Sequence, residues 1–298
     1  MDVKAIDTMC RGFYAEPELA KPLFEVREFQ VLAESTFAGV LANSDIDEGE
    51  EWRVFELLGN SSVEETVEEM DEVGVETVFI DQLVQWSRRA SKTLTMLSVE
   101  ELAEMVDRSD GRIVPGVGYD PHRIPESLER LERAVDDHDF KYVWFHPMTY
   151  GLRPTDEKCY PLYAKCNELD IPVCFQTGQS AEPLPSEPGH PMYADEIAMD
   201  FPDLTIVLTH TGWPWPNEWC SMLWRHPNVY GNIGAYYPSF LPDQQVQFID
   251  SGRIRDKVMW ATNGLGLERC KEEFLDLPIR DETKRRVLRE NALEVFDI

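Results

Sequence analysis

Three polar residues at the ends of short apolar runs are able to do chemistry in this chain. His146 closes FKYVWFHP, His210 closes TIVLTHTG, and Arg11 follows AIDTMC near the start. An imidazole changes charge near neutral pH, so His210 is suited to act as a general acid or base. The guanidinium of Arg11 has two readings. It can grip a carboxylate or a developing oxyanion with its planar fork of donors. It can equally form a salt bridge with Asp7 or Asp81. Gln176, in PVCFQTG, and Asn263, in KVMWATNG, offer hydrogen bonds to a ligand oxygen. Glu218, after Trp213-Pro-Trp215-Pro, either orients His210 or serves as an acid in the first turn of a helix. The candidate catalytic set is therefore His210, Arg11 and Glu218. His146, Gln176, Asn263, Trp213 and Asp7 form the candidate substrate-binding set.

Eight elements must position these groups. β-rich runs recur at Val3 to Met9, 74–81, 112–120, 140–147, 172–178, 205–212, 228–234 and 257–264. Segments of helical periodicity separate them. SSVEETVEEMDEVG opens with a capping serine, Ser61 or Ser62, and carries acids in its first turns, as a helix N-terminus favours. VEELAEMVDRS, PESLERLERAVDDH, TDEKCYPLYAKCNELD, PMYADEIAMDFP and DETKRRVLRENALEVF follow the same logic. Strands alternating with helices imply parallel pairing, because a parallel connection needs a long crossover. Eight such units predict a single α/β domain over 1–298, a closed (β/α)8 TIM barrel whose strand ends hold the polar residues. Residues 11–60 do not fit the rhythm. They read as an insertion after the first strand that caps the barrel mouth.

At these residues the chain resembles the amidohydrolase superfamily, within the amidohydrolase-related branch that includes aminocarboxymuconate-semialdehyde decarboxylase. AIDTM, FKYVWFHP, FPDLTIVLTHTGWPW, HPNVYGNIGA, KVMWATNG and RENALEVF carry the likeness. It implies hydrolase or carbon–carbon lyase chemistry at the barrel mouth, with His210 at the position of an acid/base histidine. The family's four metal ligands fall on Met9, Arg11, Gln176 and Asn263. Zn²⁺ prefers thiolate, imidazole and carboxylate, and this set offers none of them. The expectation is a metal-independent enzyme without a cofactor. It would act on a small carboxylate or carbonyl compound. Two other readings stand beside it: a non-catalytic binding or assembly protein, and a rearranged metal site using Asp7, Cys10, His146 and His210.

Composition narrows the partners. The formal net charge is -28, from 56 acidic and 28 basic residues. Such a surface repels nucleic acid and anionic membranes. A lysine-poor acidic composition of this kind also resembles that of salt-loving organisms. No apolar run reaches the ~20 residues that span a bilayer, and no basic-then-apolar leader opens the sequence. The expected location is cytoplasmic. Six cysteines without a CxxC pair predict free thiols. Exposed aromatics in YYPSF, near 236–240, suggest a homodimer. No P-loop, GxGxxG turn or GxSxG elbow is present.

Overall fold

The computed structural model describes residues 3–298, so the first two residues of the expected domain lie outside it. Strand β1 (Ala5–Asp7) pairs in parallel with β2 (Val75–Asp81). A short antiparallel hairpin, β3 (Val84–Ser87) and β4 (Lys92–Thr95), then leaves the sheet. The barrel resumes with β5 (Ile113–Gly118), β6 (Tyr142–Phe145), β7 (Val173–Gln176), β8 (Ile206–Thr209), β9 (Val229–Asn232) and β10 (Val258–Met259). The eight barrel strands run β1-β2-β5-β6-β7-β8-β9-β10, all pairs parallel. The seam between last and first strands is held just beyond their ends. Thr8 N donates to Trp260 O at 3.1 Å, and Asn263 N to Met9 O at 2.7 Å. This is the (β/α)8 barrel expected from the eight-fold rhythm, and each run read as a strand contains one.

The strands read as continuous apolar runs because both faces are covered. Val78, Val143, Val173, Ile206, Leu208 and Val229 are fully buried. At Gly116 on β5 the neighbouring strand comes too close for a side chain: a Cβ there would lie 2.3 Å from the Tyr142 ring. The helices begin where their capping residues allow. Ser62 accepts from Glu65 N at the start of Val63–Val73. Ser98 and Glu101 form a reciprocal capping box at the start of Val99–Arg108. The closing segment is helical from Asp281 to Phe296 but contains a π-helical turn, Arg286–Glu290. Within that turn the Val287 carbonyl accepts from Trp260 N at 2.8 Å, tying the last helix to the barrel seam.

Residues 12–57 form short helices, the longest being Arg27–Thr36. Phe55 stands at their centre. It stacks on Phe13 at 4.0 Å and meets Phe24 and Phe37 edge-on. The buried Glu28 ties this segment to the hairpin by accepting from Ser87 Oγ and Arg89 N, both at 3.1 Å. Tyr14 and Asn60 tie its other end to Glu69 on the next helix.

Candidate active site

The C-terminal strand ends and the 12–57 segment enclose a cavity of about 350 Å³, at the lower end of the ligand-pocket range. Its floor is polar, with Arg11, His146, Gln176, His210 and Asn263. Phe13, Leu23, Phe29, Leu32, Phe37 and Phe55 form an apolar wall. Five of the eight candidate residues therefore line one space. The other three do not. Trp213 is 44% exposed, and what it contributes is its carbonyl, which accepts from Gln179 N at 2.7 Å. Glu218 is half-buried in the first turn of the helix Pro216–Arg225, where the helix dipole favours an acid. Asp7 is fully buried behind the floor. It accepts from Met9 N, Thr262 N and Thr262 Oγ1.

Arg11 is the charged centre. Its Nη1 meets Asp81 Oδ2 at 2.8 Å, its Nε meets Asn263 Oδ1 at 2.8 Å, and its Nη2 meets Met9 Sδ at 3.1 Å. The guanidinium lies 4.2 Å from the centre of the Trp144 ring, a cation–π contact in a dry setting. Both members of the Arg11–Asp81 pair are almost wholly buried. Burial pushes the Asp81 carboxyl up from its ordinary value, and the charge of Arg11 opposes this. Such a pair holds its geometry because neither ion can be left alone without a large desolvation cost.

His210 stands at the end of β8 with φ +68°, in the left-handed region that side chains other than glycine seldom adopt. Its backbone N–H donates to Asn232 Oδ1 at 2.9 Å. The hydroxyl of Thr209 donates to Phe175 O at 3.1 Å, so it accepts from His210 Nδ1 at 3.2 Å. That bookkeeping assigns the proton of a neutral ring to Nδ1 and leaves Nε2 as the acceptor. Burial, and then the nearby positive charge of Arg11 and the His146 ring, push the imidazole well below its ordinary value. The ring of His210 is thus neutral at physiological pH.

Reading the sequence missed a second polar group opposite Arg11. Glu182, on the loop after β7, accepts from Ser180 Oγ and from Gln85 Nε2 of the hairpin. Burial alone would raise this carboxyl. The His146 ring beside it, 3.9 Å away, and the Ser180 hydroxyl outweigh that and hold the group at about 2. Gly178 lets the loop turn here: its φ is +80°, and a Cβ would lie 2.5 Å from Trp213 O. In the sequence Gln179, Ser180 and Glu182 sit in a polar, proline-rich stretch. Only Gly178 marked a turn, and nothing marked Glu182 as inward-facing.

The sulfur and oxygen groups of Met9 and Asn263 converge on a guanidinium. A thioether, a fixed positive charge and two carboxamides do not suit a divalent cation. The rearranged alternative is not assembled either. Asp7, Cys10, His146 and His210 form no ligand cluster, and no group of three or more His, Cys, Asp or Glu suited to a metal exists among the described residues. Cys10 is buried and its thiol is pushed well up, by burial first and then by the charge of Asp7, which disfavours the reactive thiolate. All six cysteines are buried free thiols.

An eight-stranded parallel barrel with its polar residues at the strand ends defines an α/β-barrel protein. More narrowly, the sequence pattern of the amidohydrolase family matches residues 88–298, and the chain belongs to that family. Among solved structures it is similar to an uncharacterised TIM-barrel protein from Bordetella bronchiseptica, with a TM-score of 0.74, 24% identity and 99% of each chain covered. It is also similar to a 5-carboxyvanillate decarboxylase from Novosphingobium aromaticivorans, crystallised with manganese and a nitrobenzoic acid. There the TM-score is 0.68 and the identity 15%, over 100% of this chain and 97% of that one. Among curated proteins, fluG of Emericella nidulans is 24% identical over 104 residues, which are 34% of this chain and 12% of fluG. No helix among the described residues is long and apolar enough to cross a membrane.

Proposed function

We propose that this chain is a metal-independent enzyme of the amidohydrolase fold, a hydrolase or carbon–carbon lyase that acts on a small carboxylate or carbonyl compound. The observation that carries the reading is the convergence of Arg11 and His210 on one small cavity. Arg11 supplies the positive charge. A guanidinium has five N–H groups, and three are spent on Asp81, Asn263 and Met9. One N–H on each terminal nitrogen stays outside that network for a ligand oxygen. His210 presents Nε2 as a neutral base, while Gln176 and Asn263 direct the polar end of the ligand. The apolar wall excludes water and takes the body of the molecule, so the compound carries an apolar portion as well as its acid or carbonyl.

The support is physical. A fixed cation in a low-dielectric pocket stabilises developing negative charge without rearranging during the reaction. Its partner Asp81 keeps it in place. The test is a screen of purified protein against aromatic and short aliphatic carboxylates and their esters and amides. CO₂ release and acid release are followed with and without a strong chelator, and bound metal is measured. Turnover unaffected by the chelator in metal-free protein supports the reading. Turnover that disappears with the chelator and returns with a divalent cation ends it.

A further inference from the structure

We infer that Glu182 is a specificity-determining residue of the cavity: its carboxylate selects, among small carboxylate and carbonyl compounds, those that also carry a cationic group such as an ammonium. This rests on the reading of the cavity as a carboxylate or carbonyl site and names the other end of the ligand. The argument starts from a count of fixed charge. Arg11 brings one positive charge, and Asp81 already meets it at 2.8 Å. Glu182 brings a negative charge that pairs with no lysine or arginine among the described residues. Its hydrogen-bond donors are neutral side chains, the Ser180 hydroxyl on Oε2 and the Gln85 amide on Oε1 at 3.3 Å. His146 Nε2 stands 3.9 Å from Oε2, too far for a hydrogen bond. A simple anion held at Arg11 would add a third negative charge against one positive charge. In a dry cavity such like charges repel far more strongly than in water. A ligand with an anionic or carbonyl end and a cationic end avoids this, because each end finds its opposite.

The loop after β7 brings Glu182 to the ligand. Gln179, Ser180, Ala181 and Glu182 are consecutive and all line the cavity. Gln179 and Ala181 are exposed and Ser180 is half-buried, so this loop forms part of the opening. The Glu182 side chain is 10% exposed, against 5% for Arg11. Both charges also bear on the His210 ring, Arg11 opposing its protonation and Glu182 favouring it. A ligand that touches that ring is therefore in the field of both. An ionised carboxylate has about four acceptor sites, and the neutral donors leave room for a ligand N–H. Glu182 is ionised at neutral pH, since its carboxyl is held at about 2. A buried carboxylate without a counter-ion keeps a desolvation cost that a ligand ammonium would remove. The phenylalanine wall takes the skeleton between the two ends. The class that fits is an aromatic or aliphatic skeleton with an acid or carbonyl at one end and an ammonium or amidinium at the other.

The experiment is calorimetric titration of the full chain near neutral pH with probes matched in shape. They are meta- and para-methylbenzoate, meta- and para-(aminomethyl)benzoate, and meta- and para-methylbenzylamine, with para-methylbenzyl alcohol as a neutral control for an intact cavity. At least one aminomethylbenzoate should bind about ten-fold or more tightly than the methylbenzoate of the same substitution, the effect of one charge-assisted contact. In Glu182→Gln that preference should shrink to about two-fold or less while the alcohol keeps its affinity. Methylbenzoates that bind the native chain as tightly as both aminomethylbenzoates overturn the inference and leave the carboxylate reading standing. A preference that survives in Glu182→Gln overturns it too. Should the variant lose the alcohol as well, the comparison in the native chain decides alone. If the amines match the aminomethylbenzoates and weaken in Glu182→Gln, the carboxylate reading falls and the role of Glu182 stands. Failure of every probe to bind ends both.

Discussion

Arg11 and Asp81 meet at 2.8 Å across the ends of the first two barrel strands, with side chains 5% and 1% exposed. Asp81→Asn removes the counter-charge and leaves a guanidinium buried with carboxamide and sulfur partners. Breaking one side of a buried pair costs about 3–5 kcal/mol. Urea unfolding should show a loss of that size. Arg11→Met should cost a similar amount, and the double variant should cost less than the sum. Additive losses would mean that the two groups are not coupled.

At His210 the backbone lies in the left-handed region, which asparagine tolerates better than alanine. His210→Asn should therefore keep the thermal midpoint closer to that of the native chain than His210→Ala does. Both should lower turnover by roughly 10²–10⁴-fold if the imidazole is the proton acceptor. Because the ring is held well below its ordinary 6.5, the base stays unprotonated through that pH. The acid limb of the rate profile should accordingly lie well below pH 6.5. A limb at 6.5 or above would contradict the role.

Stability should depend on pH through two buried carboxyls of opposite sign. Glu182 is lowered from 4.5 to about 2 in the folded chain. Its contribution is present above 4.5 and is lost as pH falls through about 2. Asp7 is raised from 3.8 to about 6. Its contribution is present below 3.8 and is lost as pH rises through about 6. Each shift corresponds to roughly 3 kcal/mol. Glu182→Gln should flatten the stability curve at the acid end, and Asp7→Asn should flatten it between about 4 and 6. Denaturant midpoints measured across pH read both effects, and curves parallel to that of the native chain would refute them.

Net charge of -28 concentrates repulsion on the surface. Raising ionic strength from about 0.1 to about 1 M shortens the screening length from ~10 to ~3 Å. The thermal midpoint should climb with added potassium chloride. A fall or a flat response would show that the many surface ion pairs, such as Arg108 with Glu16 and Glu64, outweigh the excess of acid.

The barrel was legible in the linear pattern because its causes are local. Apolar runs ending in polar residues mark strands buried on both faces, and Ser62 and Ser98 mark helix starts by satisfying the first free N–H groups. The hairpin β3–β4 was not legible. VQWS and KTLT are four residues each, too short for a periodic signal, and β3 is held in place by Glu28 and Thr149 from distant segments. Among candidate site residues, those at strand ends share one cavity because a barrel sends its strand ends to one rim. Trp213 and Glu218 were drawn in by adjacency in sequence, and neither lines the cavity.

By itself, then, the sequence determined an eight-fold parallel barrel with Arg11, His146, Gln176, His210 and Asn263 at or just beyond its strand ends. Tertiary structure alone decided which carboxylate pairs with Arg11, since Asp7 and Asp81 were equal candidates until Thr262 claimed the first. It also decided that Glu182 turns inward and which nitrogen of a neutral His210 carries the proton. Hydrogen bonds between residues tens of positions apart, such as Asp7 with Thr262 and Arg11 with Asp81, set the first of these outcomes, and the His210 proton depends on the neighbouring Thr209 hydroxyl donating to the distant Phe175 carbonyl.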